Sequence, residues 1–310
     1  MIPLRKALQD YLALRRSLGF KLRLIGATLH HFVDFLERTG TCHITTELAL
    51  RWAKLSPDVH PAHWANRLSF VRGFARYRSA TDPRTEVPPV GLLPHHYPRP
   101  APYLYADDEI RRLLKAAWEL PSPGGLRSWT YFTFLGLLVV TGLRVGEAIH
   151  LHRDDVDIKQ GLLRIRQTKF GKDRFVPLHP STTRALARYA SRRNDLCSIQ
   201  AYPHFFLSDQ GKPLTDCVVR WTFVKLSRQI RIRGPAASFG PRLHDLRHRF
   251  AVRTLLTWYR AGVDVEARMP VLSTYLGHAH VTDTYWYLSA APELLALTAA
   301  RLEKRWEVFQ

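Results

Sequence analysis

Arg144 with Glu147, and His244 with Arg247, are the residues of this sequence whose types and spacing could handle a phosphate. Phosphoryl transfer needs cations on the two non-bridging oxygens, a nucleophile in line with the leaving oxygen, and an acid to protonate that oxygen. Arginine suits the first task because its planar fork donates two parallel hydrogen bonds and stays charged. In Thr141-Gly142-Leu143-Arg144-Val145-Gly146-Glu147 a turn at Gly142 feeds a helix start, and Glu147 lies one helical turn beyond Arg144, where it can orient the guanidinium. In His244-Asp245-Leu246-Arg247-His248 a His and an Arg three apart share a helix face and can reach one phosphate together. Neither pair is distinctive alone. Arg–Glu pairs at this spacing are commonplace on helix surfaces, and the His-x-x-Arg spacing recurs at His96/Arg99 and His150/Arg153, about as often as composition alone would give.

No phosphate-binding Gly-x-x-x-x-Gly-Lys loop, no dinucleotide Gly-x-Gly-x-x-Gly turn and no His-Glu-x-x-His zinc helix is present. Asp154, Asp155 and Asp157 cluster but lack the Gly and distant Glu of a calcium loop, so they read as turn and capping residues. Phosphate chemistry here is expected to run with no metal and no other cofactor.

Context promotes the two pairs. The C-terminal stretch Tyr275-Leu276-Gly277-His278-Ala279-His280-Val281-Thr282-Asp283-Thr284-Tyr285-Trp286-Tyr287 supplies a Leu-Gly-His box with a tyrosine nine residues on. Thr-Gly-Leu-Arg144-x-x-Glu, then His244-x-x-Arg247-His, then Leu-Gly-His278 and Tyr287, resembles the tyrosine recombinase (phage integrase) family in order, spacing and flanking residues. Between the boxes, Thr168-Lys169-Phe170-Gly171-Lys172-Asp173-Arg174-Phe175-Val176-Pro177-Leu178 is similar to the family's β-hairpin, which carries a catalytic lysine. Any one box is a weak signal; four in order are a strong one.

The resemblance implies roles that agree with what the chemistry requires. Tyr287 is the nucleophile, giving a 3′-phosphotyrosine and a free 5′-hydroxyl. Arg144 and Arg247 clamp the non-bridging oxygens, with Glu147 orienting Arg144. Lys169, the first lysine of the hairpin motif and preferred over Lys172, protonates the departing oxygen. His244 and His278 stabilise the charged transition state and assist proton transfer. Because the phosphotyrosine keeps the energy of the ester, a 5′-hydroxyl from another strand can reseal DNA without ATP or metal. Tyr285 and Tyr287 point roughly 200° apart on a helix, so only one faces the site, and the nine-residue offset from His278 selects Tyr287. His280 stands where the family more often has a small residue.

These groups must be positioned by a chain whose reading is mainly α with a small antiparallel β-sheet (α+β). Residues 1–81 carry helical spacing at Leu4, Leu8 and Leu12, and at Leu29, Phe32, Phe35 and Leu36, closed by Gly40. A third segment runs from Thr45-Thr46 through Leu48 and Trp52, and a fourth opens at Pro61 with Trp64, Leu68, Val71 and Phe74. This four-helix region, with 13 basic and 5 acidic residues, is similar to the family's core-binding domain; Arg67, Arg72 and Arg76 on its last helix, with Lys172 and Arg174 on the hairpin, are candidate DNA contacts. Residues 82–104 are proline-dense and aperiodic, which predicts a semi-rigid linker. The catalytic domain is expected over 105–310, opening at Asp107-Asp108, with strands at 162–166 and 174–178 and a further short strand at Phe205-Phe206-Leu207.

Composition points the same way. The 310 residues carry 46 Lys+Arg against 26 Asp+Glu, a net charge of +20, which makes nucleic acid the expected partner. Hydrophobic residues make up 46%, enough for two packed cores. Cys42, Cys197 and Cys217 are odd in number and scattered, which fits a reducing compartment. The N-terminus is too charged for a signal peptide, and the apolar run Trp129–Leu143 falls short of the ~20 residues of a membrane span. The expectation is a cytoplasmic protein, nucleoid-associated when bound to DNA, with no membrane partner.

The family resemblance further implies double-stranded DNA recombination sites as substrate, a homo-tetramer on DNA, and an accessory recombinase or directionality factor. Residues 292–310 read as an amphipathic helix that either packs on its own domain or is donated to a neighbour. The expected activity is site-specific recombination through a phosphotyrosine, serving integration, excision or resolution of a mobile element. DNA relaxation of the type IB topoisomerase kind, a catalytically silent DNA-binding regulator, and simple adhesion to RNA or membrane are the alternatives. The filled catalytic positions and ordered boxes favour the first.

Overall fold

The structure is a computed structural model that describes residues 3–95, 101–166, 173–197, 202–289 and 292–307. The chain divides into two compact units, Met1–Pro100 and Ala101–Gln310. Among the described residues no helix is long and apolar enough to cross a membrane.

The first unit is built from α1 (Leu4–Ser17), α2 (Arg23–Arg38), α3 (Thr46–Ala53) and α4 (Pro61–Ser79). Local signals set the ends. Gly40, at φ +71°, follows α2 in the left-handed conformation that closes a helix. The Thr45 hydroxyl accepts the Leu48 amide at 3.2 Å to cap α3. Pro61 starts α4, where its missing N–H costs nothing. The apolar stripes meet in one core of Leu8, Leu12, Leu29, Phe32, Leu36, Trp52, Leu68, Val71 and Phe74.

Residues 82–95, expected as linker, hold no helix or strand, yet they are tied down along the first unit. Asp82 is buried and pairs with Arg78 at 3.2 Å and with Arg84 at 3.0 Å. The Glu86 amide donates to the Ile44 carbonyl and its carboxylate caps Thr46, each at 2.8 Å. Leu93 is buried in the same core. Proline content excludes regular structure but does not decide whether a segment packs.

The second unit is mainly helical with one three-stranded antiparallel sheet, so the chain as a whole has the α+β composition expected. Its elements are α5 (Asp107–Trp118), α6 (Arg127–Thr141), α7 (Val145–Ile149), β1 (Val156–Asp157), β2 (Leu162–Ile165), β3 (Arg174–Pro177), α8 (Pro180–Leu196), α9 (Asp216–Gln229), α10 (Leu243–Arg260), α11 (Val265–Leu276), α12 (Thr282–Ser289) and α13 (Pro292–Glu307). In the hairpin Leu163 faces Val176 and Ile165 faces Arg174, and Leu163, Ile165 and Val176 are buried in the core. Helix α6 is buried on most of its faces, as its unbroken apolar run predicts. The expected strand at 205–207 does not form: Leu207 makes only an isolated bridge to Pro213, and Phe205 and Phe206 are core aromatics. β-Prone aromatics here report burial, not pairing.

A second cluster joins the C-terminal helices. Leu255, Met269, Leu272, Leu276, Tyr287 and Leu294 are buried together, and α13 packs on α10 and α12 of its own chain. The Arg260–Glu293 ion pair ties its first turn to α10.

Candidate active site

Arg144 owes its place to the turn before it. Gly142 ends α6 at φ +62°, and a Cβ there would lie 2.6 Å from the Phe250 ring, so only glycine fits. The chain turns and Arg144 becomes the residue that opens α7. Glu147, at the third position of that helix, accepts from the Arg144 amide and from Arg144 Nη1, each at 2.9 Å. The expected orienting role of Glu147 thus has its geometry.

Helix α10 carries the second cluster on its first turns. The buried Asp245 carboxylate accepts the Arg242 amide at 2.8 Å and fixes the helix start. Arg247 is 2% exposed and donates to the Gly142 carbonyl at 2.8 Å and to the Leu276 carbonyl at 2.6 Å. Burial, with Arg144 nearby, lowers its pKa to about 10. A desolvated guanidinium beside a second one is a site short of negative charge, and an anion between them relieves both costs.

Helix α11 ends at Gly277, φ +69°, and the next residue is His278. His278 Nδ1 lies 2.7 Å from the hydroxyl of the fully buried Thr284. Tyr287, on α12, is 2% exposed and stacks on the His278 ring at 6.0 Å with 22° between planes. Tyr285, two residues away, is 41% exposed. The structure therefore brings Tyr287 together with His278, while Arg144 and Arg247 are bonded to the carbonyls just before that histidine.

His244 lies on the same face of α10 as Arg247 and is exposed at the protein surface. Sequence reasoning missed its neighbour His248, which is buried with its ring 4.7 Å from His244 and 5.5 Å from Tyr287. The signal was available, because residues 244 and 248 are one turn apart. Desolvation is the first cause that brings all three histidines to pKa about 4, followed by Arg247 for His244 and His278 and by His244 for His248. Near neutral pH the three imidazoles are uncharged, and each offers one donor and one acceptor.

Lys169 and Lys172 lie outside the described residues. The hairpin strands on either side of them are in place, and Arg174 on β3 is 9% exposed. Its terminal nitrogens donate to both Glu147 oxygens, at 3.0 and 2.8 Å, and its Nε to the Tyr275 carbonyl at 2.9 Å. As a candidate DNA contact Arg174 is corrected: its donors are committed inside the protein. Two of the three candidates on α4 are similarly engaged. Arg72 donates to the Pro88 and Pro89 carbonyls, each at 2.7 Å, and Arg67 stacks over Trp52 at 4.0 Å. Arg76 is exposed on the rim of a groove of about 480 Å³ that Tyr11, Leu14, Phe70 and Tyr77 help to line.

Two of the three aspartates read as turn residues do that work: Asp155 accepts the His152 amide at 3.2 Å and pairs with Arg166, and Asp157 accepts the Gln160 amide at 2.8 Å. Among the described residues no group of three or more His, Cys, Asp or Glu is placed to hold a metal ion.

The chain is similar to known proteins in sequence and in fold. The chain is 52% identical over 311 residues to integrase/recombinase y4rB of Sinorhizobium fredii, covering 99% of each protein. It is 30% identical to the tyrosine recombinase XerD of Xanthomonas axonopodis, over 79% of this chain and 77% of that protein. Its fold is similar to the Tn1549 transposon integrase in complex with transposon right end DNA, with TM-score 0.66 at 18% identity, covering 96% of this chain and 98% of that one. A lambda integrase tetramer bound to a Holliday junction matches with TM-score 0.60 at 20% identity, over 91% and 79% of the two chains. Residues 104–293 match the pattern of the phage integrase family, and with the arginine, histidine and tyrosine boxes on those same residues, this chain belongs to that family of tyrosine recombinases.

Proposed function

We propose that this chain cleaves and rejoins DNA at specific sites through a covalent 3′-phosphotyrosine, and that it serves the integration, excision or resolution of a mobile element. The observation that carries the reading is Tyr287, packed on His278 directly after the two carbonyls that Arg144 and Arg247 hold. In this reading the Tyr287 oxygen attacks the phosphorus of a backbone phosphodiester. Arg144 and Arg247 hold the non-bridging oxygens as negative charge builds on them. His278 and His244, neutral at the start, donate to the same oxygens and take part in moving the phenolic proton. Lys169 protonates the 5′-oxygen as it leaves. The bond broken is P–O5′ and the bond formed is P–O(Tyr), so the ester count is unchanged and a 5′-hydroxyl can reverse the step.

The two units fit a division of labour, residues 1–81 gripping DNA and 105–310 doing the chemistry. The substrate is double-stranded DNA, and the working species is a homo-tetramer, with an accessory recombinase or directionality factor as a further partner. The relatives named integrase and recombinase, and the tetramer and DNA complexes of the similar structures, support this reading. In the cell the protein is expected in the cytoplasm, on the nucleoid when bound.

The test uses end-labelled DNA from the ends of the element that encodes the chain, incubated in EDTA with wild type, Tyr287→Phe and Tyr285→Phe. A protease-sensitive covalent band from wild type and Tyr285→Phe but not from Tyr287→Phe is expected. A band that survives in Tyr287→Phe and disappears in Tyr285→Phe would show that the wrong tyrosine has been chosen.

A further inference from the structure

The carboxyl end of α11 presents three successive carbonyls, and an arginine from a different element takes each one. Tyr275 O accepts Arg174 Nε from β3, Leu276 O accepts Arg247 Nη2 from α10, and Gly277 O accepts Arg144 Nη2 from the start of α7, at 2.9, 2.6 and 2.8 Å. The last carbonyls of a helix lack partners within it and sit at its partially negative end, so cations are favoured there. Two of these arginines are the clamp of the proposed reaction. The third has no part in it.

Arg174 also meets Glu147. Oε1 accepts Arg144 Nη1 at 2.9 Å and Arg174 Nη1 at 3.0 Å; Oε2 accepts the Arg144 amide at 2.9 Å and Arg174 Nη2 at 2.8 Å. One half-buried carboxylate thus serves four donors. Its single negative charge faces two guanidiniums, one of them 9% exposed and bonded through all three of its nitrogens, the other 32% exposed. If Glu147 faced Arg144 alone, the pair would neutralise itself and Arg144 would offer little net charge to a phosphate.

We propose that Arg174 is a positioning residue: it takes up the charge of Glu147 and holds its carboxylate, so that Arg144 is oriented without being neutralised. This rests on the recombinase reading for its catalytic consequence. The role belongs to the bidentate fork, since a lysine supplies the charge but not the two parallel bonds.

The experiment compares Arg174→Gln, Arg174→Lys, Glu147→Gln and the double variant Arg174→Gln/Glu147→Gln, each with a thermal melt. DNA affinity is measured across salt, and single-turnover formation of the Tyr287 adduct at saturating DNA. Arg174→Gln should slow adduct formation about 10–100-fold, the scale of loss when a reacting group is misplaced by ~1 Å. DNA affinity and its salt slope should not change. Arg174→Lys should fall between Arg174→Gln and wild type. Adding Glu147→Gln should speed Arg174→Gln, because it removes the uncompensated carboxylate; a general folding defect would make the double variant slower. Normal adduct formation by Arg174→Gln overturns the proposal. So does weaker binding with a salt slope reduced by about one, the signature of a lost phosphate contact.

Should Arg174→Gln fail to fold, the Arg174→Lys variant carries the same comparison. Should wild type form no adduct on any DNA, the recombinase reading fails, and a different readout then decides the proposal. In the DNA-free protein the Arg144 Nε–H NMR signal should shift or broaden in Arg174→Lys, and an unchanged signal overturns it.

Discussion

Gly277→Ala tests the platform at the end of α11 with a single methyl group. At φ +69° the new side chain meets the left-handed penalty, about 1–2 kcal/mol for an L-residue. It also meets a wall. The added Cβ would lie 2.7 Å from Arg174 Nη1 and 2.9 Å from its Cζ. Ordinary contact needs ~3.5–4 Å, so one side must retreat by roughly 1 Å. The guanidinium is pinned by bonds of 2.8–3.0 Å to Glu147 and Tyr275, which a shift of that size breaks. Losing one charged hydrogen bond adds ~1.5–3 kcal/mol, giving a total of about 3 kcal/mol.

Gly262→Ala is the internal control. It sits in the same unit at φ +71° with nothing within 4 Å of its Cβ, so it carries the backbone strain and no clash. For a unit of this size each kcal/mol lowers Tm by ~2–4 °C, which predicts losses of roughly 2–8 °C for Gly262→Ala and 6–12 °C for Gly277→Ala. Adduct formation should be normal in the first and at least about 10-fold slower in the second. Calorimetry and the single-turnover adduct assay read the two effects separately. Equal melting losses together with equal, wild-type cleavage would refute the idea that close approach of Arg174 constrains this turn.

Two further outcomes follow from the same helices. His244, His248 and His278 titrate near pH 4 when folded, against ~6.5 unfolded, so between those values the unfolded chain binds protons that the folded one refuses, and stability falls as pH drops through that window. Phosphate beside them raises these values, so Tm should drop less steeply with acid when DNA is bound; a Tm flat from about pH 7 to 4.5 without DNA would contradict desolvated, neutral imidazoles. Leu294→Ala removes a fully buried anchor of α13 and should cost about 2–4 kcal/mol and open the C-terminal helix to protease. Unchanged stability and protection would mean that α13 does not rest on its own α10 and α12.

Most of the site was legible because its parts are local. Arg144 with Glu147, and His244 with Arg247, are one turn apart, and the distance from His278 to Tyr287 spans one turn and one short helix. Helix boundaries followed from Gly40, Thr45 and Pro61 for the same reason. Arg174 was misread because its meaning is non-local: on a strand beside two lysines it looks like a DNA contact, and its real partners are 27 and 101 residues away in sequence. The bonds of Arg72 were not legible either, since nothing in an arginine on α4 announces that the Pro88 and Pro89 carbonyls will need donors. The 82–95 part of the segment read as a semi-rigid linker is irregular as expected, but its packing was not legible, because Glu86 and Leu93 find their partners only in the folded unit.

The three arginines on the end of α11 also reduce the number of ways the site can move. Arg144 and Arg247 are each bonded to a carbonyl of the turn that leads into His278, so a shift of α11 carries both guanidiniums and that histidine as one block. Tyr287 is not on that block. It rides on α12, joined to the block by residues 279–281 and by the hydrogen bond between His278 and Thr284. In the proposed reaction, the distance from the Tyr287 oxygen to a phosphate held by Arg144 and Arg247 would then depend on how α12 lies against α11. In the proposed reaction, anything that tilts α12 would change the timing of attack by Tyr287 while leaving the two arginines on their carbonyls.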